Sequence, residues 1–444
     1  MRAGTVWHPT RVVPLAFLVA IAAGTLLLSL PIARAGPGGA PLLVALFTAT
    51  SAICVTGLTV VDTGTYWSPL GEAIIVLLVQ LGGLGIMTAS TLLGLLVSNR
   101  LRLGQRLLAQ AETRTTALGD VTATLRLVLI VMITVQSVIM TFLFVRFWIG
   151  EDIAPARAAW YALFHAVMSF NNAGFSLFSD GAVRFALDPL VLFPLMAGVV
   201  IGGIGFPVIY ELKNELTRPA AWSVHTKLTL VGTAVLLPMG AAAVLLFEWW
   251  NPRTLSGMDV GAKVLNALFH SVMSRSGGFH TVDTPAMNDE TLLVTSALMM
   301  IGGGSAGTSG GIKVTTFLVL GLLVLAEVQG ERDASVFRRR LSDGTQRLAL
   351  TIALLSIAVV SVATLILLSM TPFDLPRVLF EVVSAFATVG LSVGLSPQLP
   401  PAGQLLLVVL MFTGRVGTVT LAAALALHAR QRPYRYPEER PILG

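Results

Sequence analysis

Four short glycine-bearing stretches have residue types that could ligate a bare cation. They read CVTGL at 54–58, NNAGF at 171–175, SRSGGF at 274–279 and ATVGL at 387–391. Between Gly57, Gly174, Gly278 and Gly390 the separations are 117, 104 and 112 residues. A cation crossing lipid must exchange its hydration shell for oxygen ligands, and rings of backbone carbonyls supply them. Turning carbonyls inward strains the chain, and glycine admits the positive φ values that other residues resist. The candidate filter is therefore Val55, Thr56 and Gly57; Asn172, Ala173 and Gly174; Ser276, Gly277 and Gly278; and Thr388, Val389 and Gly390. Cys54 reads as a small buried residue beside the first loop, not as a nucleophile.

The elements that must hold these loops are apolar helices. The 444-residue chain is 55% hydrophobic and 12% charged. That excludes an ordinary soluble domain and gives the net charge of +6 no nucleic-acid meaning. Segments such as 70–98, 187–210 and 404–428 exceed the roughly 20 apolar residues that cross a bilayer. Eight spanning helices are expected, near 12–31, 70–98, 123–148, 187–213, 227–249, 290–328, 347–370 and 402–429. Shorter apolar stretches lie between alternate pairs, at 42–53, 160–170, 264–274 and 378–387. These are too short to span, and fit re-entrant pore helices buried in protein. Arg11, the apolar run and Ala33-Arg34-Ala35 also suit a secretory signal, but a retained helix completes the first repeat. A single cysteine excludes an intrachain disulfide.

Each unit is thus helix, pore helix, glycine loop, helix. The expected fold is an all-α polytopic membrane protein with four pseudo-symmetric repeats around one pore. Repeats fall at 1–100, 101–215, 216–330 and 331–430, followed by a tail at 431–444. Two marks keep one register. Leu46-Phe47, Leu163-Phe164, Leu268-Phe269 and Leu379-Phe380 lie on the pore helices, with Phe ten residues before the reference glycine, or nine in repeat three. The following helices carry LGGLG at 81–85, IGGIG at 201–205, IGGGSAGTSGGIK at 301–313 and TGRVG at 413–417. Gly82, Gly202, Gly302 and Gly414 follow the reference glycines by 25, 28, 24 and 24 residues. Small-residue helix packing explains any one cluster; it does not explain the shared offset. Each pore helix ends at its loop, and its C-terminal partial charge favours a cation.

Of the 29 Lys and Arg, 19 fall at the termini or in the loops near 99–126, 213–227 and 329–347. Both termini are then expected in the cytoplasm, with the glycine loops opening outward. Asp62, Asp180 and Asp283 follow three of the loops by five or six residues. They either ring an outer mouth and concentrate cations or cap extracellular turns. His165 and His270 occupy matching positions after the Leu-Phe pairs, with Glu381 and Thr48 as counterparts. Buried polar contacts to the backbone are expected there rather than a metal site. Arg275 precedes the third loop and is a candidate partner for Glu381.

The stretches TSAICVTGLTVVDTGTYW, NNAGF, SRSGGFHTVD, IGGGSAGTSGGIKVTT, SAFATVGLS and FTGRVG together resemble the Ktr/Trk/HKT superfamily of potassium transporters. Within it the chain looks most like the membrane subunit of the Ktr branch, KtrB-like, beginning at the first repeat without the extra helix pair of TrkH-type subunits. The resemblance implies potassium uptake through one pore per chain, with sodium as a possible activator and no organic cofactor. It further implies a homodimer in the bacterial cytoplasmic membrane, and a cytosolic RCK-type, KtrA-like regulator ring that binds ATP or ADP. No P-loop or dinucleotide fingerprint occupies a soluble domain here. The basic cytoplasmic loops, including Arg338, Arg339 and Arg340, would attract anionic membrane lipids or dock that partner.

Gly302, Gly303, Gly304, Ser305, Ala306, Gly307, Thr308, Ser309, Gly310 and Gly311 cannot hold a helix, because glycine costs roughly 1 kcal/mol per site relative to alanine. A helix broken at membrane depth must line a cavity or pack in protein. The segment resembles the superfamily's intramembrane gating loop. Lys313 and Arg415 are ionisable groups within the repeat core and functional candidates, expected to hold this loop across the path; snorkelling is the alternative for Lys313. A second functional class is a secondary cation symporter with alternating access, which also uses broken helices and repeats. An intramembrane enzyme lacks any paired catalytic motif in the helices.

Overall fold

The computed structural model describes residues 9–99, 121–331 and 333–417. The expectations placed on the loop around 100–120, on the end of the eighth helix and on the tail at 431–444 lie outside these residues. Four leading helices, Pro9–Ser29, Val121–Val145, Val224–Glu248 and Asp343–Met370, each precede a short pore helix. The pore helices are Leu42–Ile53, Pro155–Asn171, Val260–Met273 and Leu375–Phe386. The three later ones start three to five residues before their apolar runs. Proline in the first turn (Pro155, Pro376) or the Asp259 cap, which accepts from the Gly261 and Ala262 amides at 2.9 and 3.3 Å, starts them in polar sequence.

Trailing helices follow at Pro69–Asn99, Pro189–Ile204, Asp289–Met300 and Pro401–Phe412. Each pore helix packs on its own leading and trailing helices or on the neighbouring repeat's trailing helix. The trailing helix of repeat one contacts the pore helix of repeat two, two contacts three, three contacts four, and four returns to one. The chain therefore closes a four-membered ring. Burial follows the ring. Phe47, Phe164, Phe269 and Phe380 are all wholly buried, while Leu46, Leu163, Leu268 and Leu379 are all half-buried. The repeated Leu-Phe pair is thus one packing position used four times. The leading helices instead expose Leu26, Ile133, Leu246 and Leu365. Such side chains belong against lipid.

Five described helices are long and apolar enough to cross a membrane, and a bent pair makes a sixth. That pair corrects the expected continuous helix at 187–213. Pro189–Ile204 meets Phe206–Glu215 at 95° across Gly205, whose φ is +98°. Pro207 has no amide to give the Gly203 carbonyl. The freed Gly202 and Gly203 carbonyls accept instead from the Thr308 and Gly304 amides, at 3.0 and 2.8 Å. The third trailing helix breaks where glycine predicts, stopping at Met300 and resuming at Val314–Val328. The fourth runs into a π-helical turn at Thr413–Gly417.

Candidate functional site

The four pore helices deliver their loops to one place. A Cβ built on Gly57 would stand 2.6 Å from the Gly174 amide nitrogen and 2.8 Å from its Cα. One on Gly278 would stand 2.6 Å from both the Gly174 Cα and the Val389 carbonyl oxygen. One on Gly390 would be 3.3 Å from the Cα atoms of Gly57 and Gly278. The reference glycines therefore pack against one another's backbone, and no side chain fits between them.

Backbone dihedrals explain how carbonyls can face inward. Gly57, Gly278 and Gly390 have φ of +93°, +75° and +95°, and Val55, Ser276 and Thr388, two residues earlier, have +55°, +90° and +49°. The residue between is not left-handed. Alternating handedness turns successive carbonyls to the same side. Loop two departs from the pattern: Asn172 is left-handed at +61°, whereas Gly174 is not. Strain of roughly 1–3 kcal/mol per such non-glycine residue must be held by its surroundings. Ser51 does this in repeat one, accepting from the Thr56 amide through its carbonyl at 2.7 Å and from the Gly57 amide through its hydroxyl at 3.0 Å. Ser384 repeats both contacts for Val389 and Gly390, at 2.9 and 3.1 Å. These two serines were missed in the sequence reading, although the shared Ser-Ala of SAICVTG and SAFATVG marks them. Met168 and Met273 supply the equivalent carbonyls in repeats two and three.

The second glycine mark has a separate cause. A Cβ on Gly82 would collide with the Ile53 carbonyl, on Gly202 with Phe170, and on Gly414 with Phe386. Each carbonyl lies four residues before its reference glycine, at the end of a pore helix. The glycine lets the trailing helix touch that end directly. This close approach fixes the shared offset.

Beneath the ring lies the glycine-rich segment. Ile301 and Ile312 pair in parallel, so 302–311 forms a closed loop. The Gly303 amide donates to the Ser309 hydroxyl at 2.9 Å. The Thr308 hydroxyl donates to the Phe170 carbonyl at 3.1 Å and lies 3.1 Å from the side-chain amide of Asn172. The Gly310 amide donates to the Ser276 hydroxyl at 3.1 Å, and that hydroxyl donates to the Thr388 carbonyl at 2.9 Å. The loop therefore touches filter residues of repeats two, three and four. Arg415, 2% exposed, donates to the Thr308 carbonyl. Lys313 donates to the Ser309 carbonyl at 2.6 Å, so its charge bonds the loop instead of snorkelling away.

Other candidates sort differently. Arg275 does not pair with Glu381; its Nη2 donates to the Gly302 carbonyl at 3.1 Å. Glu381, wholly buried, accepts from the Ser392 hydroxyl at 2.8 and 3.0 Å and from the Val393 and Ser396 amides at 3.3 and 3.0 Å. Its carboxylate is consumed bracing the strand after the fourth filter. His165 fills the matching role in repeat two, contacting the Ser176 hydroxyl at 3.2 Å and the Tyr161 carbonyl at 2.8 Å. His270 contacts Thr295 at 3.0 Å. Cys54 is buried. Asp62 caps a helical turn, accepting from the Gly64 and Thr65 amides. Asp180 pairs with Arg184 at 2.9 Å. Asp283 precedes a short turn with no side-chain cap. Two of these three acids thus have local partners.

A closed ring of helix–loop–helix repeats around converging filter glycines, with a loop held below, defines a membrane protein of the ion-permeation class. Residues 16–433 match the family described as "TrkH: Cation transport protein", and the chain belongs to that family. It is 35% identical over 439 residues to the Ktr system potassium uptake protein B of Bacillus subtilis, covering 98% of this chain and 97% of the relative. It is 36% identical over 437 residues to the Vibrio alginolyticus protein of the same name, covering 98% and 94%. The fold matches the crystal structure of the potassium transporter TrkH from Vibrio parahaemolyticus with a TM-score of 0.74 at 17% identity, covering 95% of this chain and 86% of that one.

Proposed function

We propose that this chain is the potassium-conducting membrane subunit of an uptake system. The observation that carries the reading is the backbone contact among Gly57, Gly174, Gly278 and Gly390 at the ends of four pore helices. Its relatives are named as potassium uptake proteins over nearly their whole length, and one at 32% identity is named a potassium/sodium uptake protein, from Enterococcus hirae. Potassium is the substrate, coordinated by carbonyls of Val55–Gly57, Asn172–Gly174, Ser276–Gly278 and Thr388–Gly390. The loop Gly302–Gly311, held by Lys313 and Arg415, closes the path below the filter. Sodium acts as an activator.

The same reading places the protein in a bacterial cytoplasmic membrane with both termini inside, supported by the distribution of Lys and Arg. It works as a homodimer on a cytosolic RCK-type ring that binds ATP or ADP, which suits a chain whose relatives are named as parts of a Ktr system. The test is growth of a potassium-uptake-deficient bacterium on limiting potassium. The parent chain with a regulator ring restores growth, and serine at any one reference glycine lowers uptake or its preference over sodium. Growth restored equally by all four serine variants would overturn the filter assignment.

A further inference from the structure

In three repeats the trailing-helix glycine rests on a carbonyl at the end of its own pore helix. Repeat three breaks this rule. Gly302 faces the Gly310 carbonyl, inside the loop, and its own carbonyl is taken by Arg275. Arg275 lies just past the third pore helix and immediately before Ser276, which itself bonds the loop at Gly310. Arg275 is 6% exposed, and among the described residues no carboxylate lies within ion-pair distance of it. Among the described residues its Nε has no hydrogen-bond partner. Beside it is a cavity of about 20 Å³, bordered by Gly203, Thr233 and Gly303. Burying an arginine without a counter-ion is costly. A glycine contact, which the other repeats use, would have joined the helices without that cost.

We propose that Arg275 is the positioning residue of the gate. Its guanidinium ties the Gly302 hinge to the end of the third pore helix. Ser276 and Arg415 hold the far half of the loop; Arg275 holds the near half. Because Arg275 and Ser276 are adjacent, a shift of the third filter strand moves both attachments together. The filter of repeat three is thereby coupled mechanically to the loop beneath it. This assignment rests on the gate reading above and adds the residue through which the gate is hinged.

The test uses Arg275→Gln and Arg275→Lys in the full chain and in a chain lacking residues 302–311, which removes the Gly302 carbonyl with the loop, each reconstituted in vesicles and assayed for potassium and sodium flux. Loss of a charge-assisted bond of this kind should raise full-chain potassium flux by roughly tenfold for Gln, with Lys between Gln and parent. The ratio of potassium to sodium flux should stay at the parent value. In the loop-deleted chain, Gln should change nothing. Unchanged full-chain flux, or an equal change in the loop-deleted chain, overturns the proposal and makes Arg275 a brace of the filter alone. If the full-chain Gln variant does not survive purification, thermal melting decides. The loop-deleted Gln variant should melt with the deletion itself, and a lower melting temperature overturns the assignment. A deletion that leaves flux at the parent level overturns the gate reading instead, independently of residue 275.

Discussion

The Gly310 amide donates to the Ser276 hydroxyl at 3.1 Å, joining the loop to the third filter strand by one hydrogen bond. Ser276 passes that contact on to the Thr388 carbonyl of the fourth strand. Any displacement of the loop must break this bond or drag two filter strands with it.

Ser276→Ala removes the bridge and leaves the left-handed backbone at that position in place. A neutral hydrogen bond is worth about 0.5–1.5 kcal/mol net. Potassium flux through reconstituted protein should rise several-fold. Because the Thr388 carbonyl loses its partner, the potassium to sodium flux ratio should fall as well. Arg275→Gln, by contrast, should leave that ratio alone.

The trailing-helix glycines should be intolerant for a packing reason. Gly82→Ala, Gly202→Ala and Gly414→Ala each drive a methyl group into a pore-helix carbonyl. Overpacking of this kind costs typically 1–3 kcal/mol, read as a lowered melting temperature in detergent. Gly85→Ala is the control. Its methyl would stand 3.6 Å from the nearest Phe17 ring carbon, an ordinary contact, and melting should not move.

Glu381→Ala should destabilise the segment after the fourth filter, because four donors, the Ser392 and Ser396 hydroxyls and the Val393 and Ser396 amides, lose one buried acceptor. Leaving buried donors unpaired costs about 1–3 kcal/mol each before relaxation. His165→Ala removes two contacts at the matching place in repeat two. Melting curves should show the larger loss for Glu381→Ala.

The filter glycines should not respond alike. Gly57, Gly278 and Gly390 hold positive φ, whereas Gly174 is constrained only by its neighbours. Serine at 57 or 390 meets both strain and collision, serine at 174 collision alone. Potassium preference over sodium should therefore survive best in Gly174→Ser.

The ring was legible in the sequence because fourfold duplication wrote each packing constraint four times. Leu-Phe reports one buried position on every pore helix, and the second glycine reports one helix-to-carbonyl contact. Features that occur once were harder to read. Gly205 sits inside an apolar run that looks continuous, and its 95° bend depends on a loop 100 residues away that takes the freed carbonyls. Charge and position offered Arg275 the carboxylate of Glu381; tertiary placement gives it a backbone carbonyl instead. Sequence alone leaves Asp62, Asp180 and Asp283 between two readings, and local geometry gives Asp62 a cap and Asp180 an arginine.

The most direct test of the central claim is anomalous diffraction from crystals of the protein grown in rubidium. The account predicts a peak on the axis of the ring, within about 3 Å of carbonyl oxygens contributed by the strands ending at Gly57, Gly174, Gly278 and Gly390. Rubidium bound elsewhere in a flux-competent protein, with no density inside the glycine ring, would contradict it.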